Sequence, residues 1–156
     1  MAFDITDLVQ GMVASRSWFM KHLRGVNDDQ WNWKPYPECK SIRETLQHLI
    51  VDDLAALDSL KTGAEPNYEA LTVTETDISK LMHQLERTHA ELIDFLRENY
   101  GDKPLDSDIC VWGHSVKLGR GIPNFSSEDY YHAGQVAFIR MATDPEWNYY
   151  ADIYGE

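Results

Sequence analysis

Apolar residues recur every three or four positions in four separate stretches of this chain, and each stretch is closed by a cap or a stop. That spacing predicts amphipathic helices, whose apolar stripes can be buried only against one another. The first follows Asp4 and ends near Gly25, with Ile5, Leu8, Val9, Met12, Phe19 and Leu23 on one face. The second follows Ser41, which stands at capping-box spacing from Glu44, and stops near Gly63; its stripe is Ile42, Leu46, Leu49, Ile50, Leu57 and Leu60. The third is placed after Thr74 and ends at Gly101, with Ile78, Leu81, Met82, Leu85, Leu92, Ile93 and Leu96 on one face. The fourth is placed from Ser126 to about Thr143, where Asp144-Pro145 stops it. The expected fold is all-α: a four-helix bundle occupying residues 1–156 as one domain.

The connections differ in character. Residues 26–40 carry Trp31, Trp33, Pro35 and Pro37, a composition that packs down rather than floats. Residues 102–125 are long for a bundle loop, and long loops often carry function. Within them, Ile109–Trp112 and Ser115–Leu118 flank Gly113-His114, which predicts a short hairpin between the third and fourth helices. The tail from Glu146 to Tyr154 is aromatic enough to dock on the helices. Trp18 lies opposite the first helix's apolar stripe, so it either covers the linker or sits in a dimer contact.

The net charge of −12 argues against nucleic acid and anionic membrane as partners, since both need basic faces. No apolar run approaches the roughly 18 residues of a membrane span. The first residues lack a basic region followed by an apolar one, and Cys39 and Cys110 form no CxxC, so the expected setting is cytoplasmic with both thiols reduced.

One polar ladder stands out. At about 100° per residue, Glu128, His132 and Gln135 share a face of the fourth helix with Val136 and Ile139. Tyr130, Tyr131, Ala137, Phe138 and Met141 cover its other faces, leaving Asp129 and Arg140 as a narrow charged strip. A helix apolar nearly all round is central in its domain, so Glu128 and His132 would point inward, where they need partners. Either they form a hydrogen-bonded i,i+4 pair, or they share a ligand. On the second helix, His48 lies off the Leu/Ile stripe, on a strip with Thr45, Val51, Asp52, Ala55, Ala56 and Ser59. It is either a solvated histidine or one that lines a cavity left by its small neighbours.

Three stretches together resemble the DinB family of damage-inducible, metal-binding bundle proteins: Ser41-Ile-Arg-Glu-Thr-Leu-Gln-His-Leu49, His132-Ala-Gly-Gln-Val136, and the ending from Asp144-Pro-Glu-Trp to Gly155. An earlier Asn27-Asp-Asp-Gln-Trp-Asn-Trp-Lys-Pro35 stretch adds to it. The resemblance implies a four-helix bundle, a homodimer, and one divalent metal held by a histidine on the second helix and two histidines four apart on the last. His48 and His132 match two of those positions; Glu128 stands where the family carries the other histidine. Two imidazoles and a carboxylate with open positions remain a set that suits catalytic zinc or non-haem iron(II), and zinc, nickel and iron all qualify. Asp129 is the rival carboxylate, but at the third helical position after Ser126 it would serve the cap, as Glu44 does on the second helix.

Asp52, one turn after His48, is expected as a fourth ligand or as the group that orients an imidazole; Gln135 is expected to support His132 or line a cavity. His89 lies in the third helix's stripe as a hydrogen-bonded core histidine or a cavity residue. Its Glu86-x-x-His89 motif finds only Asp129-x-x-His132 to pair with, short of what a di-iron bundle needs. His22, His83 and His114 have no partners at ligand spacing. No Gly-rich phosphate loop, Gly-x-Ser-x-Gly elbow or H-E-x-x-H is present.

Two function classes fit. One is a metal-dependent enzyme of thiol S-transferase or hydrolase type acting on a small molecule or thiol. The other is a binding or stress-response module whose metal is structural or absent. A thiol's carboxylates would call for basic residues, and Lys117 and Arg120 in the long loop are the candidates.

Overall fold

A computed structural model describes residues 4–155. The chain is mostly helical: α1 (Ile5–His22), α2 (Ile42–Thr62), α3 (Ile78–Tyr100), a hairpin of β1 (Asp108–Val111) and β2 (His114–Lys117), α4 (Leu118–Thr143) and a short α5 (Tyr149–Tyr154). No described helix is long and apolar enough to cross a membrane.

The first two helices start where their capping residues predict. The Asp4 carboxylate accepts from the amides of Thr6 and Asp7, and the Asp7 carboxylate in turn accepts from the Asp4 amide. Ser41 and Glu44 make the same reciprocal pair, and α2 ends on Gly63 at φ 69°. The third helix starts later than expected. Its cap is Asp77, which accepts from the Lys80 amide, because residues before it are engaged elsewhere: Gln47 donates to the Glu75 carbonyl at 2.7 Å, and the Glu75 carboxylate accepts from the amides of Thr76 and Asp77.

The fourth helix starts eight residues before Ser126, at Leu118, directly out of β2. Pro123 lies inside it and removes the bond that its amide would give the Gly119 carbonyl. Packing offsets that loss. A Cβ on Gly121 would lie 2.8–2.9 Å from side-chain atoms of Ile109, Val111 and Val116, so glycine lets the hairpin rest directly on the helix. The hairpin forms, with Ile109 opposite Val116 and Val111 opposite His114, but its turn falls one residue earlier than the expected Gly113-His114, because His114 pairs in β2. Its two-residue turn, Trp112-Gly113, has φ 47° and 87°, the doubly positive geometry that matches the twist of two short strands.

Two apolar clusters make the core. One joins Ile5, Leu8 and Met12 of α1 to Leu92 and Leu96 of α3, Ile109 and Val111, and Ile122 and Phe125 of α4. The other joins Phe19, Leu46, Leu49, Leu81, Leu85, Val136 and Ile139. Between them, each long helix contributes to a buried polar layer: Ser15 and Arg16, Asp53, Thr88 and His89, and Asp129. Arg16 Nε donates to Asp129 at 2.7 Å, while Nη1 and Nη2 donate to the two oxygens of Asp53 at 3.0 and 3.1 Å. Ser15 donates to Asp129 at 2.7 Å and Thr88 to Asp53 at 3.2 Å. The two carboxylates fix α2 and α4 in register against α1.

This layer corrects the expected polarity of the last helix. Asp129 is not a helix cap but a fully buried partner of Arg16. Arg140 is also buried, donating to the carbonyls of His22 and Arg24 and lying 4.2 Å over the Trp147 ring. The bare face is the aromatic one: Tyr130, Tyr131, Phe138 and Met141 are each more than half exposed. The linker packs down, with Gln30 donating to Thr143 and Trp31 and Trp33 against the second cluster. The tail docks as α5, whose Tyr154 covers Trp18 edge-on at 5.2 Å, so the tail takes the place that the linker or a dimer partner was expected to fill.

Candidate metal centre

His48 projects from α2 toward Glu128 and His132, one turn apart on α4. His132 Nε2 lies 3.5 Å from Glu128 Oε2, and His48 Nε2 lies 3.9 Å from the same oxygen. The two imidazole centroids are 4.9 Å apart at 72°. One ligand atom from each residue fits within 4.8 Å of the others. Ligands about 2.1 Å from one tetrahedral ion stand roughly 3.4 Å apart, so side-chain rotations alone would close the set.

The protonation pattern suits a cation. The Gln135 side-chain oxygen accepts from His132 Nδ1 at 2.7 Å, which leaves Nε2 with its lone pair. His132 is 2% exposed, and among the described residues that Nε2 has no hydrogen-bond partner. An unpartnered buried nitrogen is costly unless something else occupies it. Burial lowers the pKa of His132, although Gln135 and Glu128 pull the other way. Burial, followed by the charges of His132 and Lys40, pushes His48 down to about 4. Both imidazoles therefore offer neutral nitrogens at neutral pH. Asp52 Oδ2 stands 3.2 Å from His48 Nε2, and burial, reinforced by Glu128 and Asp53, pushes its carboxyl up to about 7. A bound cation would reverse that shift by favouring the ionised carboxylate, so loading would release a proton.

Consecutive carboxylates divide the work. Asp52 and Glu128 face the site, while Asp53 and Asp129 turn into the polar layer behind it. His89 belongs to that layer, with Nε2 3.2 Å from the Met12 carbonyl and Nδ1 3.8 Å from Asp53, rather than to the site.

A cavity of about 380 Å³ opens beside the group, lined by His48, Asp52, Glu65, Tyr68, Trp112, His114 and Glu128. The superfamily model described as DinB superfamily matches residues 12–136, a span that includes all three candidate ligands. The chain belongs to the DinB superfamily. A comparison with curated proteins gives no match. Within this DinB fold the far wall of the cavity comes from the hairpin turn and the segment after α2. The Trp112 indole donates to the Asp52 carbonyl at 3.1 Å, and the Gly113 amide donates to Ser59 at 2.9 Å. A Cβ on Gly113 would lie 2.9 Å from Glu65 Cα, so the turn is pressed against that segment.

Glu65, Tyr68, Trp112 and His114 escape a helix-based reading because they lie in the segment after α2, in the hairpin turn and at the start of β2. A hairpin was legible here, with its turn expected at Gly113-His114; that Trp112 turns with Gly113 and approaches α2 depends on contacts about fifty residues distant. Lys117 and Arg120, expected near a thiol's carboxylates, line none of this cavity; Lys117 pairs with Asp108 at 2.8 Å.

Proposed function

We propose that this DinB superfamily member binds one divalent cation through His48, Glu128 and His132 and acts as a metal-dependent enzyme, of transferase or hydrolase type, on a small molecule in the adjoining cavity. Zinc, nickel and iron all suit two imidazoles and a carboxylate. The observation that carries this reading is the buried, unpartnered Nε2 of His132, with its lone pair directed into a group completed by Glu128 and His48. A divalent cation held there would supply a lowered pKa for water or a thiol near neutral pH. The protein's part is to keep His132 in one tautomer through Gln135, and to hold α4 against α2 through Arg16. Asp52, beside His48, is placed to accept a proton from a cavity ligand.

A second reading rests on Asp52. As a fourth ligand it would close the coordination shell, and closed shells are structural rather than catalytic. Cobalt(II) substitution separates the two. An open site should change its visible spectrum when imidazole or azide is added, and Asp52→Ala should leave one cobalt per chain. A spectrum insensitive to added ligands, together with lost binding in Asp52→Ala, would establish the structural reading instead.

The four long helices are proposed to form the superfamily's bundle, and two copies to associate through the aromatic face of α4. Tyr131, Phe138 and Met141 recur there at helical spacing around Gly134, whose added Cβ would meet no atom within 4 Å. Sedimentation of a Phe138→Asp variant as monomer beside a dimeric parent tests that arrangement.

A further inference from the structure

The cavity beside the candidate centre has an unusual wall for a site expected to take a thiol bearing carboxylates. Three carboxylates line it, from Asp52, Glu65 and Glu128, and no lysine or arginine does. Lys40, whose charge reaches His48, lines a separate groove with Tyr36, Cys39, Tyr131 and Phe138. A divalent cation would offset the carboxylates at the floor, Glu128 and Asp52, but not Glu65 on the opposite side. The remaining lining is aromatic: Tyr68, Trp112 and His114. Behind the floor, 3.5 Å from the lining Glu128 Oε2, lies the buried His132 Nε2, which lacks a hydrogen-bond partner among the described residues and marks this end of the cavity as built for a ligand.

Trp112 adds a second point. It stands in the left-handed region at φ 47°, which a bulky side chain rarely adopts and glycine or asparagine adopts readily. The indole is then fixed by its bond to the Asp52 carbonyl and by an edge contact with Phe125 at 5.3 Å. A half-buried ring thus lies in the cavity wall, within the same lining as an exposed carboxylate, Glu65.

We infer that this cavity selects a small molecule carrying an ammonium group, held by Glu65 and the rings of Tyr68 and Trp112, and rejects carboxylates. Aromatic faces and an anion are the chemistry that recognises organic cations, whereas a carboxylate ligand would meet uncompensated like charge. Among thiols this favours an aminothiol over one with several carboxylates. The placement of the reacting atom rests on the proposed metal centre, but the charge preference belongs to the wall alone.

The test uses the full chain after chelator treatment, with benzyltrimethylammonium and phenylacetate as matched probes in isothermal titration. The ammonium probe is expected to bind at least about tenfold more tightly than phenylacetate. Glu65→Lys should erase most of that preference, Glu65→Gln part of it, and Trp112→Leu should weaken the ammonium probe while leaving phenylacetate unchanged. Equal or tighter binding of phenylacetate, failure of both probes to bind below about 10 mM, or an unchanged preference in Glu65→Lys would overturn the inference. Zinc uptake before chelation is read separately. A protein that takes no zinc but keeps the ammonium preference sinks the metal centre and leaves the wall standing; one zinc per chain without the preference does the reverse.

Discussion

Replacing Arg16 by methionine leaves Asp53 and Asp129 buried without their guanidinium, with only His89, 3.8 Å from Asp53, beside them. Arg16 makes three bonds to them at 2.7–3.1 Å, and its side chain is only 8% exposed. Bonds to charged groups are worth about 1.5–3 kcal/mol each, which would put the loss near ~5–9 kcal/mol if the carboxylates stayed ionised. Two effects reduce it: the guanidinium no longer has to be desolvated, and Asp53 can take up a proton. Breaking a buried pair by removing one partner costs about 3–5 kcal/mol, and that is the expected destabilisation near pH 7.5. The pH dependence is diagnostic. In the parent, burial pushes the Asp53 carboxyl up, but Arg16, and then His89, hold it below its ordinary value. Its contribution is therefore present above the unfolded-state pKa and is lost only in strong acid. In Arg16→Met the burial remains without the counter-charge, so the folded-state pKa rises above the unfolded one. The folded variant then binds the extra proton, and its deficit should shrink as the pH falls toward about 5.5. Urea unfolding of the chelator-treated proteins at both pH values measures this. A deficit under about 1 kcal/mol, or one that grows in acid, would refute the argument.

Asp52→Asn should stabilise the chelator-treated protein by on the order of 2 kcal/mol near pH 8, because the parent carboxyl, raised from 3.8 to about 7, is ionised there against Glu128. The sign follows from the raised value: the parent's stability is full below the unfolded pKa and declines as the pH rises through 7, so the gain should vanish near pH 4, and destabilisation at pH 8 would contradict it. Gly121→Ala should cost about 1–3 kcal/mol in the same assay, since its methyl carbon would press on Ile109, Val111 and Val116; a neutral effect would mean the hairpin yields freely. Cation loading should release close to one proton near pH 6 and almost none near pH 8.5, read by titration in buffers of different ionisation heat, and equal release at both would exclude Asp52 from the linkage.

What could be read in the sequence was local. Asp4, Ser41 and Glu44 announce their helix starts because a cap needs only its next three residues. Ile109 to Leu118 announces a hairpin for the same reason. The meeting of His48 with Glu128 and His132 was legible because helical spacing aligned the last two and the DinB resemblance supplied the first. The start of α4 was hidden, since Gly119, Gly121 and Pro123 look like breakers until the hairpin packed on them is seen. Arg16 and Asp129 are 113 residues apart, so nothing local distinguished Asp129 from a cap residue. The inverted polarity of α4 has the same origin: Asp129 and Arg140 could be buried only because partners on α1 and the turn after it receive them.

The central claim is that His132, with Glu128 and His48, holds a divalent cation. Its most direct test is elemental analysis of protein purified without chelator or a metal-binding tag, for the parent and for His132→Ala. One zinc, nickel or iron per chain in the parent, falling to a small fraction in a folded His132→Ala, is the expected result. A parent that carries no metal after incubation with each of the three ions, or a His132→Ala protein that keeps a full equivalent, would contradict it.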